Sequence, residues 1–447
     1  MLKRILSLFM VFSLLTAVCF KSITVHAASY LEIAAYWAPQ IYQDVNAGLD
    51  VRADYITSFN YDGDYNPLNN WQNLSNYQEK GYVYYKVSET TTHYFIEYDL
   101  FHPRDDAYTA PLDAHENDLE GLNIVVRKDG STYGAFQLME TMAHNQWYQY
   151  TNDPNITAGA DGVDGGVLFN GSHAKVFSQA NGQSPSGGHG VFAYDGSSAP
   201  GGDGIVYNYT GTAQFPTNAS GSYINSYGYE LIEWGDLWSR RKDSNIFSSY
   251  GTFAGDDYTN NSAKAPWAWD DGDDGAAYVG MNFVDPAHQI DTHLNGLGSF
   301  SHDYVYNPYY SFKVTVNTVT SNANRDTFGG KSDIYPKFVF GGEELADMDR
   351  LWKYNDSAIG TARQVKWGYD SAGSYGQYSS AYNTLYFAHK PNNVEVKISI
   401  MDSDDGSDDD MGSIFAYPAP GQTITFTNAS TNSNQAIVTA AVTAGAQ

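Results

Sequence analysis

The sequence predicts an all-β protein made of two β-sandwich domains, the first with long loops rich in Gly, Asn and Asp. Three observations carry this. Apolar residues alternate with polar ones over short stretches, the period of a strand with one buried face. The chain is rich in aromatics and glycine, with 37 Tyr, 9 Trp and 42 Gly, a profile that suits pleated, half-buried surfaces joined by turns. Helical signals are sparse, the clearest lying around Ala34-Ala35-Tyr36-Trp37 and broken by Pro39.

In chain order, the start reads as an export signal. Lys3 and Arg4 are basic, Ile5 to Phe20 is apolar, and Val25-His26-Ala27 fits a small-residue cleavage site, which predicts a secreted protein cleaved near Ala27. Cys19, the one cysteine, falls inside that segment. A lipid-anchored reading would acylate it, but Val18 before it is large for that role. The remainder holds no thiol, so it is expected to rely on its core, on bound metal or on both. No other stretch approaches the ~18 apolar residues of a spanning helix.

About 420 residues after cleavage exceed one ordinary domain. The expected organisation is a signal peptide over 1–27, a first sandwich over 28–310 and a second over 311–447, with the boundary near Asn307-Pro308. Without Lys3, Arg4 and Lys21 the chain keeps 21 basic residues against 51 acidic ones, a net charge of −30. Phosphate-rich nucleic acid is therefore excluded as a partner. A bound cation would reverse the sign only locally, which still permits docking on phosphates or hydroxyls.

In the first domain, Tyr82 to Val87 and Thr92 to Tyr98 read as a hairpin, and Leu122 to Arg127 and Tyr133 to Leu138 as a second around Asp129-Gly130. Residues 151–280 are loop-rich, as in Ser184-Pro185-Ser186-Gly187-Gly188, and long loops in compact domains are commonly functional or mobile. Between the hairpins lie Phe101-His102-Pro103-Arg104-Asp105-Asp106 and Ala114-His115-Glu116-Asn117-Asp118-Leu119-Glu120-Gly121. The second reads as a short loop leading into a strand, with Asp118 and Glu120 on one side. An imidazole beside two carboxylates either binds a divalent cation (calcium, magnesium or manganese) or forms an acid/base pair, or is a polar turn with a capping His. His144 and His173 are further candidates for the same cleft or hydrogen-bonded structural histidines. Ala265-Pro266-Trp267-Ala268-Trp269-Asp270-Asp271-Gly272-Asp273-Asp274-Gly275 is either a further acidic site beside a sugar-stacking Trp pair or a packed, solvated turn. No nucleophile elbow, phosphate loop or zinc helix is present.

In the second domain, Phe312, Val314 and Val316 alternate as a strand, followed by Asp326-Thr327-Phe328-Gly329-Gly330-Lys331-Ser332-Asp333-Ile334-Tyr335-Pro336-Lys337-Phe338. Val394, Val396, Ile398 and Ile400 alternate before Asp402-Ser403-Asp404-Asp405-Gly406-Ser407-Asp408-Asp409-Asp410-Met411-Gly412. A strand ending in so many carboxylates repels itself unless a cation fills the loop, and hard oxygen ligands suit calcium. The plain alternative is a solvated acidic turn.

Two resemblances attach to these motifs. Ser332-Asp333-Ile334-Tyr335-Pro336-Lys337 and Met411-Gly412 resemble the calcium loops of the C-two domain, the calcium/phospholipid module, over about 311–430. The proline stands two places late, and Asp326 to Asp333 is longer than usual there. The resemblance implies calcium bound by Asp326, Asp333, Asp402, Asp404 and Asp409 or Asp410. The His115–Glu120 stretch resembles the necrosis- and ethylene-inducing-peptide-like family, whose signature is Gly-His-Arg-His-Asp-Trp-Glu. Its first His, Asp and Glu fall on His115, Asp118 and Glu120, and a further metal-side Asp falls on Asp105. Ala114, Glu116, Asn117 and Leu119 depart from that heptad. Gly171-Ser172-His173-Ala174 is similar to the vacuolar-protein-sorting-associated protein 62-like group. Together these imply a β-sandwich over about 30–300 with a divalent ion at one end, held by Asp105, His115, Asp118 and Glu120.

The expected function is a secreted, metal-dependent binding protein. Its partner would be an extracellular glycan or a lipid headgroup, through peripheral contact only. The alternatives are a metal-assisted extracellular hydrolase, with Glu120 or Glu116 as base, and a membrane-damaging necrosis-inducing-like toxin.

Overall fold

The computed structural model describes residues 28–106, 114–181, 188–257, 263–271, 278–325, 330–345, 352–367, 382–388, 390–391, 393–404 and 407–446. The protein is all-β.

A short helix, Tyr30–Trp37, opens the described chain. The Ser29 hydroxyl accepts from the Glu32 backbone at 3.2 Å, and the Glu32 carboxylate accepts from the Ser29 backbone at 2.7 Å, a reciprocal cap that satisfies two orphan donors. Six strands organise the N-terminal part: β1 (Gln40–Asp44), β2 (Tyr82–Thr90), β3 (His93–Asp105), β4 (His115–Arg127), β5 (Ala135–Ala143) and β6 (Gln146–Tyr150). They lie in one mixed sheet. Its order runs Val191–Ala193, His173–Ser178, β1, Gly204–Tyr209, Ser222–Glu233, β2, β3, β4, β5, β6, Val163–Gly165. The two arms of the sheet enclose one core, in which Ile41, Val176 and Ile205 from one arm meet Ile96, Leu122, Ile124 and Met139 from the other.

The opposite face of β2 to β6 is less ordinary. In-register partners run Lys86, Glu97, Asn123, Glu140, Gln149 across five strands, each at most 1% exposed. The segment Met281–His293 covers this polar row. Lys86 Nζ lies 3.4 Å from Glu97 Oε2 and donates to the Phe283 carbonyl. The Asn282 amide donates to Glu97 at 3.0 Å, and the Gln289 amide to Glu140 at 3.0 Å. A buried polar row needs such partners, because an unpaired buried polar group costs ~1–3 kcal/mol. The helix Pro286–His293 within this cover was not read from the sequence. All eight of its residues are buried, so no amphipathic stripe marks it.

An aromatic core lies beside this face, built from Trp234, Trp238, Trp267, Phe253 and Phe283. Trp267 and Trp269 are both buried, so this pair is packed rather than a stacking platform. The Asp270-to-Gly275 turn lies mostly outside the described residues.

The C-terminal part forms two facing sheets. One joins Ala362–Gln364, Phe312–Ser321, Ala436–Ala444 and Thr423–Ser430, with Thr384–Phe387 also on Phe312–Ser321. The other joins Glu343–Glu344, Ile334–Phe340, Val396–Asp402 and Asp409–Ala416. Their inner faces meet through Val314, Val316, Val438, Ala440 and Val442 on one side and Phe338, Phe340, Ile398 and Ile400 on the other. The expected alternation from Phe312 holds until Asn317, where the register against Ala436–Ala444 shifts. Asp285 ties the two parts together. Its buried carboxylate accepts from the Tyr278 and Tyr304 hydroxyls and from the Tyr386 backbone, at 3.2, 3.0 and 3.1 Å.

Candidate metal sites

His115–Glu120 is not a loop but the first half of β4. Asp118 and Glu120 continue the face that carries Leu122, Ile124 and Val126 into the core, and Asp118 stands opposite His102 of β3. The carboxylates therefore extend an apolar stripe, which hides the strand period in the sequence. Asn117 sits at φ 61°, a conformation Asn tolerates better than most residues. Its side chain accepts from Asn70 at 2.6 Å and donates to the Pro67 and Ala254 carbonyls at 3.1 and 3.0 Å, pinning two loops to the strand.

The four expected residues gather at this end. Asp105 is the β3 partner of His115, and His115 Nε2 lies 3.6 Å from Asp105 Oδ2. Asp105, Asp118 and Glu120 are 5, 7 and 7% exposed. Asp105 is pushed up to about 7, by burial first and then by the Asp118 charge. Glu120 is held well above the usual carboxylate range for the same two reasons. Asp118 goes the other way: burial raises it, but the His189 hydrogen bond and charge more than reverse that.

Sequence reading missed His189 and Asp54. His189 is fully buried, with Nδ1 at 2.8 Å from Asp118 Oδ2 and Nε2 at 3.3 Å from Asp54 Oδ1. Burial pulls its imidazole down, but hydrogen bonds to Asp118 and Asp54 carry it up to about 10. His102 stacks on it at 3.7 Å and is held neutral, by burial first and then by the His189 charge. No local pattern marks Gly188-His189-Gly190, and its partner Asp118 is 71 residues away.

The donor set fits a cation. Asp54 and Asp118 lie against the buried His189 ring, and Asp105 Oδ1 and Glu120 Oε2 are buried with no hydrogen-bond partner. Hard oxygens of this kind suit calcium, magnesium or manganese. The other histidines read structurally. His144 Nε2 lies 2.9 Å from the Gln179 amide oxygen, with its backbone donating to Glu120 at 3.3 Å. His173 Nδ1 lies 2.6 Å from the Ala38 carbonyl. Glu116 accepts from the Trp71 and Asp256 backbones at 2.9 and 3.3 Å and braces loops. With Asp256 and Asp257 it forms the one group of three among the described residues whose ligand atoms all lie within 4.8 Å of one another. The four residues expected from the sequence are therefore more open than that.

In the C-terminal part, Asp402 ends its strand opposite Ile334 on one side and Asp409 on the other. Asp410 instead faces Met401, is exposed, and accepts from the Gly412 backbone at 2.6 Å. Asp409 is thus the residue aligned with Asp402. Asp402 is fully buried. Its Oδ1 accepts from the Asp333 backbone at 2.5 Å, and its Oδ2 has no hydrogen-bond partner. Burial raises it, hydrogen bonding to Ser332 and to the Asp333 backbone offsets part of that, and the Asp404 and Asp333 charges add to the rise. Asp333 accepts from the Asp356 backbone at 2.7 Å, and Asp404 donates its backbone to Asp408 at 3.2 Å. Asp356 and Asp408 were not among the expected ligands. Asp326 lies outside the described residues. Gly412 closes the loop at φ 93°, where a Cβ would stand 2.2 Å from Ser433 Oγ, so the Met411-Gly412 step needs glycine.

Comparisons with known proteins give partial likenesses. A structure titled "Toxin fold for microbial attack and plant defense" is 18% identical, covering 54% of this chain and 87% of that chain with a TM-score of 0.29. "NLPPya in complex with glucosamine" is 17% identical with the same coverages and TM-score. "Structure of a C2 domain" is 12% identical, covering 31% of this chain and 99% of that chain with a TM-score of 0.21. No family model matches the chain, and no curated protein matches it.

Proposed function

We propose that this is an exported, metal-dependent attachment protein that docks on an extracellular surface bearing glycans or lipid headgroups. One observation carries the reading: at each of two separate places a buried carboxylate oxygen lacks a hydrogen-bond partner beside further carboxylates, Asp105 and Glu120 at one, Asp402 at the other. Burying such groups without a partner is costly, and a cation removes the cost.

Asp105, Asp118 and Glu120, with His115 at the edge, would hold a divalent ion in the first part. Asp333, Asp402, Asp404 and Asp409 would hold calcium in the second, with Asp410 turned aside. A bound ion supplies a positive centre with positions left for hydroxyl or phosphate oxygens. The chain's own residues do the rest. His189 fixes the Asp118 carboxylate and keeps it ionised, and His102 seals the His189 ring from water. Two metal-dependent contacts on one chain would gain from multivalency.

The double variant Asp105→Asn/Glu120→Gln tests the first site. Metal analysis of the dialysed protein is expected to find one divalent ion fewer per chain than in the parent, with weaker retention on the surface. An unchanged metal content would remove these residues from the proposal.

A further inference from the structure

A cleft of about 680 Å³ opens where the two parts meet, within the ~300–1,000 Å³ of small-molecule sites, which favour domain junctions. One wall is Phe300 to Asp303 of the first part. The other is Asn317-Thr318, Gln364 to Lys366 and Tyr382 to Thr384 of the second. We propose that this cleft binds a neutral, hydroxyl-rich ligand, an oligosaccharide, without a metal.

The lining chemistry points to that class. Three side-chain amides, of Asn317, Gln364 and Asn383, each offer donors and an acceptor in one plane, the pattern that pairs with neighbouring hydroxyls. The hydroxyls of Ser301, Thr318 and Thr384 lie among them, and the half-buried Tyr382, whose ring is stacked on His302, borders the cleft. Apart from His302, the charged residues are one of each sign, Asp303 and Lys366, so the lining has no bias towards an anion.

The site is also held in shape, which lowers the ordering cost of binding. The walls of the second part are tied by backbone hydrogen bonds, from Val365 to the Asn317 carbonyl at 3.1 Å, from Val316 to the Asn383 carbonyl at 2.9 Å and from Trp367 to the Tyr382 carbonyl at 2.6 Å. The Asn383 amide donates to Asn317 at 2.9 Å. Asn317 stands at the register shift of its strand, a bulge that re-aims a side chain. Across the junction, the His302 ring stacks on Tyr382 at 3.7 Å, and its Nε2 lies 2.9 Å from Asp291. None of the carboxylates proposed as metal ligands lines the cleft. The inference thus goes beyond the proposed attachment function and stands or falls apart from it.

The test is hydrogen exchange of the full chain in chelator, with a panel of short neutral oligosaccharides: cello-, manno-, xylo-, arabino- and chito-oligosaccharides. At least one is expected to protect 300–303, 316–318, 364–366 and 382–384. The variant Asn317→Ala/Gln364→Ala, at two exposed positions, is expected to weaken that binding roughly tenfold or more. Protection by no member of the panel, protection only elsewhere, or undiminished binding in the variant would overturn the proposal. Chelator removes the metal-dependent contacts, so a failure of the attachment reading leaves this result unaffected.

Discussion

Replacing His293 with leucine lowers stability by about 3–5 kcal/mol at neutral pH, the cost of breaking a buried ion pair and stranding its partners. The imidazole is fully buried between two carboxylates, Nδ1 at 2.6 Å from Glu140 and Nε2 at 2.8 Å from Asp271. Burial pulls it down, but the Glu140 charge and the hydrogen bonds to Asp271 and Glu140 outweigh that and hold it well above its ordinary value. The sign of the pH dependence comes from the raised value. The contribution is fully present below the unfolded value of ~6.5 and is lost as pH rises through the folded one. Urea unfolding of parent and variant should therefore show a large gap near neutrality that narrows on the alkaline side. Equal stability near neutrality, or a gap that persists undiminished to high pH, would contradict the ion-paired imidazolium.

The second large effect concerns calcium. A ligand at 100-fold excess over its Kd stabilises a fold by about 2.7 kcal/mol, and calcium should do this for the C-terminal sandwich through Asp402 and its neighbours. In Asp402→Asn/Asp404→Asn that share of the stabilisation should vanish, read as a smaller rise in melting temperature on adding calcium. Asp402 is the more telling member, because its buried Oδ2 has no protein partner. A calcium-induced rise as large as the parent's would remove the C-terminal site from the account.

What the sequence made legible and what it hid divide along physical lines. Strands with one apolar face could be read directly. Val396, Ile398 and Ile400 are buried while Lys397 is not, and Val314 and Val316 obey the same rule until the bulge at Asn317. The β4 stretch from His115 to Glu120 carries a recognisable motif but no strand period, because its inward positions are carboxylates. The Pro286–His293 helix was invisible for a related reason: it buries His288, Gln289, Asp291 and His293 against a polar row of the sheet, so no hydrophobic period remains. His189 and Asp54 join Asp118 only through the tertiary fold. Between Asp409 and Asp410 the sequence offered no choice, whereas strand register sets Asp409 beside Asp402 and turns Asp410 away.

The most direct test of metal-dependent attachment is co-sedimentation of the protein lacking residues 1–27 with mixed-lipid vesicles and insoluble cell-wall glycans, in calcium and in chelator. It is best run in the Asn317→Ala/Gln364→Ala background, so that the junction cleft does not contribute. The account predicts pelleting with at least one of these surfaces in calcium and its loss in chelator. No pelleting in calcium, or equal pelleting in both conditions, would contradict it.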